Sequence, residues 1–413
     1  MELIPLKTPQ KTPELKEKCT NWQILKSRLG LFILKSTLSS HTNKINLTNM
    51  RRLITLLLFL LWTTHPALAQ SQLINRLDSF FHTLPSNQPG IALSIQKHGE
   101  VLYQNCTGIA DPNTSLDSSS NFRMASVTKQ FTAMAILLLE KDNRLTLDDP
   151  IGRWLPELPA NVGNRVLIRH LLTHSSGVED YESLIPDTQT TQVLDADVLQ
   201  LLSRRDTTYF SPGTRFRYSN SGFCLLAIII ERASHQSYAG FIKDHIFLPL
   251  HMDHSTVYEK GQPIFHRAMG YAKDSAGNTI PSDQSVTSAT KGDGGVYTSL
   301  VDYRKWLRAL QENRLLNLSA ALKRLRFPIG STPDNYYAAG WFISSQSPVI
   351  LFHSGSTCGF TNYVIQIPGD DWSIFCFSNL ADNGAPFRRI VRLLEDEGMT
   401  GLSTAVGLQN LTR

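Results

Sequence analysis

Apolar runs of strand length stand at the two ends of this chain, and helix-length runs fill the space between them. Early, Gly90-Ile-Ala-Leu-Ser-Ile-Gln-Lys-His-Gly-Glu-Val-Leu-Tyr-Gln-Asn105 reads as strand, His98-Gly99 turn, strand. Late, residues 349–353, 362–367 and 372–378 read as three more strands, with a Pro368-Gly-Asp-Asp371 turn between the last two. From about 150 to 325 the chain alternates helical segments (165–174, 223–233, 238–247, 300–311) with turn signals. Helical spacing also marks 71–84, through Leu73, Leu77, Phe80, Phe81 and Leu84, and 387–397. The pattern predicts an α+β fold: one antiparallel sheet of N- and C-terminal strands, flanked by helices, with a largely helical middle subdomain. No repeat, low-complexity tract or interdomain linker interrupts it, so 73–397 is expected to be one domain and 398–413 a tail.

The net charge of +5 belongs to the leader. Residues 1–70 hold 10 Lys and Arg against 3 Asp and Glu, and the remainder holds 30 against 32. The body therefore offers no electrostatic case for nucleic acid as a partner. Within the leader, residues 50–69 combine two arginines, an apolar run over 53–62 and an Ala67-Leu-Ala69 triplet, which is the pattern of a secretory signal peptide. The apolar run is too short to span a bilayer as a helix. The expectation is an exported protein, periplasmic or extracellular, with no stable membrane span once the signal is removed. Residues 1–49 are then expected to be a dispensable upstream extension. Beyond Gln70 stand Cys106, Cys224, Cys358 and Cys376, too few for a disulfide scaffold, so free or singly paired thiols are expected.

Ser-x-x-Lys occurs at Ser94–Lys97, Ser126–Lys129 and Ser288–Lys291. Residues three apart on a strand face opposite ways, which excludes the first pair. The third lies in a Ser, Thr, Asp and Gly-rich loop with no helix to align it. Ser126 precedes a run over 127–140 that is apolar nearly all round, as a buried helix is. With Ser126 at the N-cap, Lys129 shares its face, and the helix start presents free amides to a developing anion. Two further elements follow: Tyr218-Ser-Asn220, in a turn-rich loop before the helix at 223, and His353-Ser354-Gly355, ending an apolar strand. Taken singly, each reads as structural. His170 and His174 are spaced like a helical metal pair, yet no HExxH glutamate accompanies them, so no metal and no cofactor is expected. Gly-x-Ser-x-Gly, Gly-x-Gly-x-x-Gly and Walker A sequences do not occur.

In this order the three elements resemble the serine β-lactamase and penicillin-binding-protein superfamily, over roughly 73–397. The resemblance is nearest to the β-lactamase-related serine hydrolases: class C β-lactamases, D-alanyl-D-alanine carboxypeptidases, D-amino-acid peptidases and certain esterases. His170-Leu-Leu-Thr-His-Ser-Ser-Gly177, Pro249-Leu-His-Met252 and Gly294-Gly295…Ser299-Leu-Val-Asp302 are similar to accessory segments of that family. His235 and His251 depart from it, standing where glycine is usual. The resemblance implies a β-lactamase/transpeptidase-like fold and a Ser126 acyl-enzyme formed on an amide or ester. Lys129 and Tyr218 would share the proton work, and which of them is the base stays open. Asn220, His353, Ser354 and Gly355 would bind substrate, with the oxyanion between the backbone amides of Ser126 and Ser356. The implied partner is a small molecule or short peptide, peptidoglycan fragments included, with a D-amino-acid peptide or ester foremost. His353 stands where penicillin-processing members carry lysine, which leaves less positive charge for a β-lactam carboxylate. The alternatives are a true β-lactamase and a catalytically inactive homologue that binds cell-wall fragments.

Overall fold

The structure, a computed structural model, describes residues 71–330 and 334–408. The expected signal at 50–69 and the extension at 1–49 lie outside the described residues, as does the end of the tail.

The early hairpin forms where expected, as β1 (Ile91–Lys97) and β2 (Glu100–Thr107), with His98 and Gly99 both at positive φ in the turn. The late strands are β6 (Ile350–Thr357), β7 (Phe360–Ile367) and β8 (Trp372–Ser378). Three short strands were not expected: β3 (Phe327–Pro328), β4 (Asn335–Ala338) and β5 (Trp341–Ser344). The eight form one antiparallel sheet in the order β3-β4-β5-β6-β7-β8-β1-β2. The early and late strands meet where β8 pairs with β1, one strand in from an edge, with Ile91 opposite Ser378 and Lys97 opposite Trp372.

Both faces of this sheet are covered, so its inner strands read as nearly continuous apolar runs. Along β1, Ile91, Leu93 and Ile95 enter one core while Ala92 enters the other. The first core is closed by the helix at 71–82 (α1), through Leu73, Leu77 and Phe81, and by α6 (Gly384–Asp396), through Phe387, Ile390 and Leu394. The expected tail contributes a short helix, Leu402–Gly407, with Leu402 and Ala405 in that same core. The second core packs the helical middle of the chain against the sheet. Its main pieces are α2 (Lys129–Lys141), α3 (Asp195–Leu202), α4 (Asn220–Ser234) and α5 (Leu300–Gln311). Helices α2 and α4 are buried nearly all round, as their unbroken apolar sequences require. Helix α4 ends at His235 in the left-handed conformation (φ 60°), and His251 also has positive φ. These are the two positions where the family resemblance implies glycine. All four cysteines among the described residues are free.

Candidate active site

The segment carrying Ser126 is tied to the sheet before its helix starts. Phe122–Arg123 pairs with Val296–Thr298 in a separate three-stranded sheet, and the tie to the large sheet is Asn362 on β7, which donates to the Arg123 carbonyl at 2.8 Å. Ala125 then adopts φ 49°, a strained conformation for a residue with a side chain, and Ala125–Thr128 forms a 3-10 turn. This corrects the expected geometry: Ser126 is not the N-cap of α2, which begins at Lys129 after Thr128. The 3-10 turn serves the pair better, because residues three apart eclipse one another there. Lys129 Nζ donates to Ser126 Oγ at 2.9 Å. The two rejected pairs stay apart from this chemistry. Ser94 accepts from Gln96 inside the sheet, and Lys291 pairs with Glu259 at 2.9 Å.

Lys129 is fully buried and its three protons each have a taker: Ser126 Oγ, Asn220 Oδ1 at 2.8 Å and the Asp293 carbonyl at 3.1 Å. Burial pulls its pKa down, but the neighbouring Tyr218 and Asp293 outweigh that, and the net shift is upward. Asn220 is the first residue of α4 rather than a loop residue. Its backbone amide donates to Asp180 Oδ2 at 2.8 Å, and its side-chain Nδ2 donates to Glu182 Oε1 at 3.0 Å. The side-chain amide is thus oriented from both ends.

Tyr218 lies with its ring 5.1 Å from Lys129 Nζ, and its hydroxyl is buried without a hydrogen-bond partner. Its position is set by His174, whose ring stacks against it at 4.0 Å. His174 Nδ1 accepts from the Ser219 amide at 3.2 Å, and its carbonyl accepts from the Arg217 amide at 2.9 Å. Burial, then the nearby Lys129, holds His174 neutral.

The His353-Ser354-Gly355 triplet does not end its strand, since β6 continues to Thr357. His353 is 1% exposed. Its Nδ1 donates to the Ser354 carbonyl at 2.6 Å and its Nε2 accepts from the Tyr337 hydroxyl at 3.2 Å. Burial, then the nearby Lys129, push its pKa down to about 3, so the imidazole is uncharged. Both nitrogens are therefore spent inside the protein, and the ring offers substrate neither charge nor hydrogen bond. Gly355 has a different reason to be there. A β-carbon on it would lie 2.2 Å from the Met124 carbonyl and 3.1 Å from the Ser126 amide nitrogen. That closeness brings β6 against the serine turn, with Ser356 next along the strand on the exposed side.

Three acids were not singled out from sequence: Asp180, Glu182 and Asp293. Glu182 stands at the solvent-facing rim, and desolvation on its protein side, then Asp180 and Asp293, push its pKa up to about 7. The acid-rich stretch Glu179-Asp-Tyr-Glu182, just after the Ser175-Ser-Gly177 segment, was the available signal.

A two-sided antiparallel sheet, with a serine and lysine at the start of its buried helix and a strand glycine pressed on the serine amide, defines the β-lactamase/transpeptidase-like fold. Residues 77–397 match the family model described as Beta-lactamase, and the chain belongs to that family. It is 31% identical to a penicillin-binding protein of Bacillus subtilis (strain 168), over 77% of this chain and 74% of that one. A penicillin-binding protein structure from Bacillus halodurans superposes with TM-score 0.66 at 27% identity, over 74% of this chain and 96% of that one. The D-amino acid amidase from Ochrobactrum anthropi SV3, complexed with L-phenylalanine, gives 0.63 at 25% identity, over 80% and 98%. Family and relatives together support a serine hydrolase. No described helix is long and apolar enough to cross a membrane.

Proposed function

We propose that this protein is an exported serine hydrolase that opens an amide or ester at a D-amino-acid residue through an acyl-enzyme on Ser126. The observation that carries the reading is the triple hydrogen bond of buried Lys129 to Ser126, Asn220 and the Asp293 carbonyl. Ser126 Oγ bonds to the substrate carbonyl carbon and its proton passes into the Lys129–Tyr218 pair. The same pair returns a proton to the departing amine or alcohol, and water then releases the acid product in the reverse sense. An ammonium with all three protons given away has no lone pair for the serine proton, which favours the unpartnered Tyr218 oxygen as the acceptor. The carbonyl oxygen would collect its charge between the amides of Ser126 and Ser356. Export rests on the signal pattern at 50–69 alone.

The charges around the site favour one substrate class. A penicillin or a carboxypeptidase substrate brings a free carboxylate, and neither His353 nor the fully engaged Lys129 is free to receive it. Glu182 instead offers a carboxylate at the rim, held through Asn220 to the lysine, and suits a substrate with a free ammonium. This fits an amide, peptide or ester of a D-amino acid with its amino group free, and the amidase likeness points the same way. The deciding experiment is a panel of D- and L-alanine p-nitroanilides, a D-Ala-D-Ala peptide, p-nitrophenyl esters and nitrocefin on wild type and Ser126→Ala. Turnover of the D-anilide or esters that vanishes in Ser126→Ala is the expected result. Equal turnover in both proteins removes Ser126 from the mechanism. Nitrocefin as the best substrate restores the β-lactamase reading, and a folded wild type that takes no fluorophosphonate label favours the inactive binding homologue.

A further inference from the structure

Lys129 raises a problem of charge that its hydrogen bonds do not solve. Its three acceptors, a hydroxyl, a side-chain amide and a carbonyl, are all neutral, and the ammonium is fully buried. A buried cation without a compensating anion is strongly disfavoured. Among the described residues no carboxylate lies within ion-pair distance of it. The compensating charge has to act from slightly farther off, in surroundings dry enough for it to be felt.

Asp293, whose carbonyl takes the third proton, has the right features. Its side chain is 7% exposed, and Oδ1 is buried without any hydrogen-bond donor. A carboxylate oxygen left bare in a protein interior is itself unstable unless a positive charge nearby compensates it. Asp293 also belongs to a buried cluster: one ligand atom each from Asp195, Cys224 and Asp293 lie within 4.8 Å of one another. Asp195, at the start of α3, accepts from the Lys291 amide at 2.9 Å and the Gly292 amide at 3.2 Å. Gly292 is pressed on α4, where a β-carbon would meet the Phe223 carbonyl at 2.2 Å. The loop presenting Asp293 is thus clamped from two helices. Lys291 cannot serve as partner to the cluster, being paired outward with Glu259.

We propose that Asp293 is a positioning residue of this site, its carboxylate supplying the counter-charge of the buried Lys129 ammonium, and that Asp195 holds that carboxylate in place through the Lys291 and Gly292 amides. This rests on the reading of Ser126 and Lys129 as the reacting pair. The surrounding groups leave Asp293 this role. His174 and His353 are uncharged through burial, and burial pushes the Cys224 thiol and the Tyr181 and Tyr238 hydroxyls up, so that they too are neutral near pH 7. Of the remaining acids, Asp180 is raised by burial, Glu182 faces solvent, and Asp195 is pushed up to about 7 by burial and then by Asp293 itself. Tyr218 raises the pKa of Lys129 more than Asp293 does, and it serves the proton transfer itself.

The direction of the effect follows. Burial lowers the pKa of Lys129, and Tyr218 and then Asp293 raise it, so removing the Asp293 carboxylate should move it downward, with Tyr218 still opposing burial. The test is an NMR titration of the Lys129 side chain in selectively lysine-labelled full-length protein, assigned with Lys129→Arg, in wild type, Asp293→Asn and Asp195→Asn. Rates of fluorophosphonate acylation of Ser126 from pH 6 to 10 accompany it. The expected result is a Lys129 midpoint lower by at least one pH unit in Asp293→Asn, a tenfold loss of ammonium above that midpoint. A smaller shift of the same sign is expected in Asp195→Asn, which decides the matter if Asp293→Asn does not fold. An unchanged midpoint overturns the proposal, as does a loss of acylation equal at every pH. Wild type that takes no label at Ser126 sinks the hydrolase reading, while the titration still decides the counter-charge.

Discussion

Gly355→Ala tests how closely the site depends on β6 pressing against the serine turn. The added β-carbon would stand 2.2 Å from the Met124 carbonyl oxygen, 3.1 Å from Ala125 Cβ and 3.1 Å from the Ser126 amide nitrogen. Two of these three atoms are backbone, so no side chain can swing aside to make room. Strand and turn must separate by about 1 Å to restore ordinary contact, and overpacking of this kind costs about 1–3 kcal/mol. For a domain of this size that is a fall in Tm of roughly 2–4 °C per kcal/mol. Catalysis should suffer more than stability. A shift of about 1 Å in reacting groups costs on the order of a hundredfold in rate, about 2.7 kcal/mol of barrier. Thermal unfolding by circular dichroism and the rate of fluorophosphonate labelling at Ser126 measure the two quantities on one preparation. A Gly355→Ala protein that labels at the wild-type rate, whatever its Tm, refutes the placing of β6 beside the nucleophile.

Tyr218→Phe removes a buried hydroxyl that has no partner, so unfolding free energy should change by less than about 0.5 kcal/mol or rise, while kcat falls on the order of 100-fold or more. A matched loss of stability and activity would mean the hydroxyl is structural. Glu182 is ionised above and neutral below about 7, so kcat/KM for a free-amine substrate should climb as pH rises through that value. Glu182→Gln should abolish that limb and leave an N-acetylated substrate unaffected; a limb persisting in the variant assigns it elsewhere. His235→Gly and His251→Gly relieve left-handed backbone at exposed positions and should each raise stability by about 1 kcal/mol, read by urea unfolding. A destabilised double variant would show that the histidine side chains do more than sit there.

The long strands and the nucleophile are legible in the sequence, while the short strands β3 to β5 and the site's acids are not, for definite reasons. Strands β1, β6, β7 and β8 are seven or eight residues long and buried on both faces, so their apolar runs stand out. Strands β3, β4 and β5 are two to four residues each, too short for any periodicity. The 3-10 turn under Ser126 depends on the φ of Ala125, a residue type that gives no warning of positive φ. Ser126, Lys129, Tyr218 and Asn220 converge as their motifs implied. His353 differs: its position matched a motif, but Tyr337 and the Ser354 carbonyl occupy it, and no local pattern in the sequence announces that. Glu182 and Asp293 act across distances in sequence of 38 and 164 residues from their partners, which only the fold brings together.

The pairing of β1 with β8 also sets an order of events in time. Ile91 meets Ser378 across 287 positions, and Gly355 reaches the Ser126 turn across more than two hundred. Contacts this distant form late and slowly, because the chain between them must first be closed into a loop. A ribosome that has released everything up to β7 has supplied the serine, the lysine and the glycine, yet β7 and β1 still lack the strand that joins them. The hydrolytic centre therefore cannot mature on a partial chain, and the reactive serine stays unassembled until the last strand has been delivered.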